Sequence, residues 1–169
     1  MTSMTTTPLV TIAIPCYNHE QYVQDSIQSI IDQSYSNIEL IIIDDGSKDN
    51  SVLKIQELIS ICTNRFSRFE FRYRENKGLC NTLNEALKWA NGEYFCTLAS
   101  DDMIQPEKIE LQIQALREYP EAIACFGGVN IIDKHNKIID QRVRSFKKTC
   151  FSEIFLNQHD LPASSQMID

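Results

Sequence analysis

The decapeptide Ile38-Glu-Leu-Ile-Ile-Ile-Asp-Asp-Gly-Ser47 sets the architecture of this chain. Residues 38–43 are apolar except for Glu39, and the run is too short for a helix of that apolarity. It predicts a strand buried on both faces, which the turn residues Asp44-Asp45-Gly46-Ser47 bring to an end. Helical patterns flank it. Upstream, Asn18 and Gln21 stand at capping-box spacing ahead of Val23, Ile27, Ile30 and Ile31, which recur on one helical face. Downstream, Val52, Ile55, Leu58 and Ile59 predict a helix over residues 51–64.

Further outward the alternation continues. Residues 9–15 (LVTIAIP) read as a first buried strand that Pro15 closes, because proline cannot donate to a sheet ladder. Residues 69–73 (FEFRY) alternate as a strand, and Leu79, Leu83, Ala86, Leu87 and Ala90 repeat at helical spacing, with Gly92 where a helix-ending glycine belongs. A strand at 94–98 runs into Ser100-Asp101-Asp102, and Pro106 then opens a helix through Ile109, Ile113 and Leu116 that Pro120 ends. A strand at 122–126, a hairpin from 129–133 and 137–140, and a short helix within 149–156 complete the pattern. Strands alternating with helices imply an α/β layered fold with a mainly parallel sheet, which binds ligands at the carboxyl ends of its strands.

At 169 residues and 43% apolar content the chain is one domain with an ample core. Its net charge of −7 argues against a nucleic-acid partner. The charge is uneven: residues 1–133 carry 10 basic and 19 acidic side chains, whereas residues 134–148 carry six basic and one acidic. Residues 1–8 contain no Lys or Arg and read as a disordered lead-in, without the features of a signal peptide. No apolar run approaches the ~20 residues of a membrane span. The six cysteines are scattered without a C-x-x-C pair, so they read as reduced thiols of a cytoplasmic protein.

Two acidic pairs end core strands, Asp44-Asp45 and Asp101-Asp102. If those strands are neighbours, four carboxylates converge, and such a cluster calls for a hard cation, Mg²⁺ or Mn²⁺, completed by substrate phosphates. The plain alternative is that each pair caps the helix that follows it. G-x-G-x-x-G and G-x-x-x-x-G-K-[ST] are absent, so a diphosphate would be neutralised chiefly by metal. His19, His135 and His159 are isolated and receive no role.

The ordered set Thr11-Ile-Ala-Ile-Pro-Cys-Tyr-Asn18, Ile41-Ile-Ile-Asp-Asp-Gly-Ser47, Asn76-Lys-Gly78, Asn91-Gly-Glu-Tyr94 and Ser100-Asp-Asp102 resembles the nucleotide-binding half of family 2 glycosyltransferases. The resemblance implies a GT-A fold, a Rossmann-like three-layer sandwich, with a nucleotide-sugar-binding core over residues 9–128 and the start of an acceptor-side region over 129–169. It implies inverting sugar transfer from a nucleoside-diphosphate sugar, most often a UDP-sugar, to a saccharide or lipid-linked hydroxyl in cell-surface polysaccharide assembly. Pro15 and Tyr17 would close over the base, Asp45 would hydrogen-bond it, Asp101 would face the ribose and sugar, and Asp102 would hold Mn²⁺ or Mg²⁺. Leu83 stands where many relatives carry an Arg, which leaves Lys77 as the phosphate-side cation. In the family the general base lies in the acceptor half, so it is expected beyond Asp169 and the chain alone is expected to turn over poorly.

Two other classes fit parts of the pattern. A phospho-accepting receiver domain also uses an early acidic pair and Mg²⁺, but it needs a Lys after a late strand where this chain has Gly127-Gly128. A non-catalytic nucleotide-sugar-binding module is the other. The basic stretch 134–148 reads either as a solvated hairpin or as a peripheral contact to an anionic inner-membrane surface, at about 1 kcal/mol per cation.

Overall fold

In the computed structural model the chain runs β1 (Val10–Cys16), α1 (Val23–Ile31), β2 (Ile38–Asp44), α2 (Ser51–Gln56), α3 (Ile59–Arg65), β3 (Arg68–Tyr73), α4 (Leu79–Trp89) and β4 (Tyr94–Thr97). It continues through α5 (Lys108–Glu118), β5 (Ala124–Cys125), β6 (Val129–Ile132), β7 (Ile138–Arg142), α6 (Phe151–Phe155) and β8 (Met167–Ile168). The structure describes residues 7–143, 145–155 and 161–169. Residues 1–6 of the expected disordered lead-in and Arg144 of the basic stretch lie outside them. Thr7 and Pro8 are held, their carbonyls accepting bonds from Asn37 and from the Tyr35 hydroxyl.

The main sheet has six strands in the order β3-β2-β1-β4-β8-β5. β1 pairs in parallel with β2 and with β4, and β2 with β3. The period-two side-chain rule explains the layers. Ile12, Ile14, Leu40 and Ile42 face one side and pack with Val23, Ile27 and Ile30 of α1 and Ile109, Ile113 and Leu116 of α5. Ala13, Ile41 and Ile43 face the other and meet Ala86 and Trp89 of α4. The result is the expected mainly parallel α/β sandwich. No helix among the described residues is long and apolar enough to cross a membrane.

Several local expectations are corrected. β1 continues one residue past Pro15, to Cys16. Asn18 and Gln21 do not form a capping box: Tyr22 precedes α1 without a side-chain cap, while Asn18 sits at φ 57° and accepts the Lys48 N–H through its side chain. The helix expected over 51–64 divides into α2 and α3, because Leu58 N–H bonds to Ile55 and tightens the turn between them. Gly92 lies in a tight approach to Thr11 instead of a left-handed helix end. The boundary expected at residue 128 is not a boundary of the sheet, since β8 enters it antiparallel between β4 and β5 and buries Met167 completely.

The cysteines are all free. Burial pushes the thiols of Cys16, Cys62 and Cys96 up to about 11. Cys150 is exposed, and bonds from Ser152 and from the Glu153 N–H hold its pKa below the ordinary value. Iodoacetamide at pH 8 is expected to label Cys150 and exposed Cys80 first, with Cys16, Cys62 and Cys96 protected until the chain unfolds. Peptide mapping that finds Cys96 among the early sites would contradict this packing.

Candidate functional site

The strand order reverses at β1, with β2 and β3 on one side and β4 on the other, and open α/β sheets bind ligands at such a switch point. A cleft of about 330 Å³ opens there at the carboxyl edge, lined by Pro15, Tyr17, His19, Asp45, Leu79 and Ser100 among others. The lining comes from the end of β1 and the loop after it, the turn after β2, the segment leading into α4 and its first turn, and the turn after β4.

Asp44 and Asp45 are adjacent yet have different tasks. Asp44 is fully buried and closes its own turn, accepting bonds from the N–H groups of Gly46 and Ser47 at 3.1 and 2.8 Å and from the Ser47 hydroxyl at 2.6 Å. Gly46 sits at φ +83°, where a Cβ would meet Asn76 N at 2.8 Å, so glycine lets the 74–78 segment lie against the turn. That segment holds Asp45, which accepts the N–H groups of Lys77 at 2.8 Å and Gly78 at 2.9 Å and an ion pair from Arg74. Burial alone would raise the Asp45 pKa; the Lys77 N–H, the Arg74 guanidinium and the Gly78 N–H outweigh it and hold the carboxyl below its ordinary value. Arg74 is itself fixed by Glu85 at 3.0 Å and Thr82 at 2.9 Å.

Asp101 and Asp102 occupy the turn after β4. Asp102 is half-buried, and desolvation first, then the Asp101 charge, push its carboxyl up, with His19 opposing. The expected convergence of four carboxylates does not occur. β1 separates the two strands, Asp44 is used up in its turn, and the described residues contain no group of three or more His, Cys, Asp or Glu placed to hold a metal. A hard cation here would rest on Asp102, with Asp101 beside it.

Pro15, Tyr17 and Asp45 thus share the cleft, with Tyr17 half-exposed on its rim. Lys77 contributes its backbone N–H to Asp45, but its side chain is exposed and the residue does not line the cleft. Sequence reasoning gave no role to Arg74, which the structure pairs with Asp45, or to His19, which it places in the cleft lining. The signal for Arg74 was its place just after the FEFRY strand, beside Asp45 once β3 pairs with β2. In the basic stretch, Lys147 and Lys148 are tied to Glu153 and Glu121.

Residues 11–169 match the family model described as glycosyl transferase family 2. The chain belongs to that family. An uncharacterized glycosyltransferase of Rickettsia bellii is 35% identical over 78% of this chain and 19% of its own length. The Escherichia coli UDP-Glc:alpha-D-GlcNAc-diphosphoundecaprenol beta-1,3-glucosyltransferase WfgD is 34% identical over 83% of this chain and 53% of its own. This family 2 chain therefore spans from about a fifth to about half the length of these curated relatives. Solved structures share its GT-A fold. The Pyrobaculum calidifontis mannosyltransferase PcManGT, in complex with GDP-Man and Mn²⁺, superposes with a TM-score of 0.66 over 75% of this chain and 37% of that one, at 21% identity. Staphylococcus aureus TarS 1–349 with UDP-GlcNAc gives 0.61 over 70% and 33%, at 23% identity. The family match displaces the receiver alternative.

Proposed function

We propose that this family 2 chain is the donor-binding part of an inverting glycosyltransferase that moves a sugar from a nucleoside-diphosphate sugar, with UDP the favoured nucleotide, to a saccharide or lipid-linked hydroxyl. The observation that carries the reading is the buried Asp45, held by three donors in a cleft on the β1/β4 switch point that Tyr17 also lines. A carboxylate accepts and never donates, so it suits a base that presents a ring N–H, while the Tyr17 ring offers a stacking surface. The name of WfgD supports a UDP-sugar donor and a diphosphate-lipid acceptor; assembly of a cell-surface polysaccharide is the role proposed with them.

The oxygen donors of Asp101 and Asp102 fit Mn²⁺ or Mg²⁺, which are held by one or two carboxylates plus substrate phosphates. Such an ion, when bound, offsets charge on the departing diphosphate. Asp102 supplies the partly desolvated oxygen and Asp101 stands on the ribose side. In this reading the general base and most of the acceptor site come from sequence that the longer relatives carry outside the matched portion. Lys134, Lys137 and Arg142, exposed on and around the hairpin, are the cations that would face an anionic inner-membrane surface in a cytoplasmic, peripherally bound enzyme.

Calorimetry with UDP and GDP tests the proposal. UDP is expected to bind in Mn²⁺, and to bind about tenfold more weakly, or about 1.4 kcal/mol, after chelation or in Asp102→Asn. Absence of binding to either nucleotide in Mn²⁺ or Mg²⁺ would overturn it.

A further inference from the structure

One unassigned polar side chain of the cleft is fixed by its neighbours and still keeps a free edge. His19 lines the cleft, and its ring is held from several sides. Nδ1 lies 2.7 Å from Ser100 Oγ, the backbone N–H donates to Ser51 Oγ at 2.9 Å, and the ring meets Tyr22 edge-on at 6.3 Å. Ser51 in turn donates to Asp49, which also accepts the Glu20 N–H. The loop after β1, the start of α2 and the turn after β4 thus fix one imidazole. Among the described residues Nε2 has no protein partner.

Charge explains what that edge is for. A nucleoside diphosphate brings at least two negative charges to a site whose acidic neighbours, Asp101 at 3.8 Å from Nδ1 and Asp102 beyond it, already repel anions. Of the residues lining the cleft, His19 alone can carry a positive charge. Arg74 is committed to Asp45, Glu85 and Thr82, the Lys77 side chain is off the lining, and position 83 is a leucine. When Nδ1 accepts the Ser100 hydroxyl hydrogen, Nε2 carries the proton of the neutral ring, and in the imidazolium it carries one as well. Both states offer an N–H on the free edge.

We propose that His19 is a phosphate-binding residue for the donor, its Nε2–H donating to a diphosphate oxygen. The proposal rests on the nucleotide-sugar reading above. It separates the two ends of the ligand: Asp45 and Tyr17 hold the base, His19 the diphosphate.

The test compares UDP with uridine, in Mn²⁺, on the wild-type chain, His19→Ala and His19→Gln, by calorimetry for UDP and ligand-observed NMR titration for uridine. His19→Ala is expected to weaken UDP about tenfold, the weight of one hydrogen bond to a charged group, and to change uridine less than about twofold. His19→Gln, whose amide N–H can reach the Nε2 position, is expected to restore most of the UDP affinity. Equal weakening of UDP and uridine by His19→Ala would reduce His19 to a brace for the loop and overturn the proposal. So would UDP affinity unchanged by His19→Ala. Wild-type chain that binds uridine and UDP equally well would also refute it, while wild-type chain that binds neither would refute the nucleotide reading itself.

Discussion

Asp45→Ala is expected to destabilise the fold by about 3 kcal/mol, a fall in melting temperature of about 6–12 °C, and to remove UDP binding altogether. The size follows from what the carboxylate holds. Its removal leaves the N–H groups of Lys77 and Gly78 without their acceptor and the nearly buried Arg74 with Glu85 as its one remaining carboxylate. Taking one partner from a buried pair costs about 3–5 kcal/mol because the other charge stays desolvated. The pH dependence has a definite sign. The folded-state pKa of Asp45 lies below its unfolded value, so its contribution is complete above the unfolded pKa of about 3.9 and is lost as pH falls through the folded one. The stability gap between wild type and Asp45→Asn should therefore be flat from about pH 5 to 8 and close below about pH 4. Urea melts that show the same gap at pH 2.5 as at pH 7 would refute this account of Asp45.

Gly92→Ala should cost about 3 kcal/mol although it adds a single methyl group. A Cβ at Gly92 would lie 2.5 Å from Thr11 Oγ1, 2.6 Å from Thr11 N and 2.8 Å from Tyr94 O, and two of these are backbone atoms that cannot swing aside. The approach is set by Glu39, fully buried, whose carboxyl group accepts the Thr11 hydroxyl at 2.6 Å, Asn91 N–H at 2.6 Å and Gly92 N–H at 3.2 Å, with Arg68 at 3.4 Å. Separating Gly92 from Thr11 loosens that network and the entry into β4 together. Gly127→Ala is the control, since its nearest neighbour is Ser165 Cβ at 4.0 Å, and it should stay within about 0.5 kcal/mol of wild type. Thermal melts in which the two alanine variants behave alike would show that the contact at Gly92 relaxes freely.

The reading of Glu39 shows how far local pattern carries. As one charged residue in an isoleucine run it left the strand assignment intact, but nothing in its neighbourhood announced that Thr11, Asn91 and Gly92 would converge on it from 28 to 53 positions away. Gly92 was legible as a glycine with a reason, and the wrong reason was assigned. Helix ends and close approaches both demand glycine, and only the Thr11 contact distinguishes them. Asp45, which lines the cleft, was legible as a candidate through the ordered family motif, whereas Arg74 and His19 carry no motif and depend on which loops meet.

The sequence by itself determined the layered α/β class, the strands β1 to β4, the carboxyl-edge loops and the family, because side-chain periods of two and 3.6 and turn residues are properties of neighbouring positions. Tertiary structure decided the rest. The sheet order inserts β1 between the two acidic pairs and so divides four carboxylates into a turn closer, an acceptor for the Lys77 and Gly78 N–H groups on the cleft wall, and a separate Asp101-Asp102 pair. It also brings β8 back from the end of the chain into the sheet and sets His19 against Ser100. The bonds of Asp45 to Lys77 and Gly78, the pairing of β8 and the contact of His19 with Ser100 join residues 32 or more positions apart, fixed by packing across the sheet and by the need of each buried polar group for a partner, which no local pattern encodes.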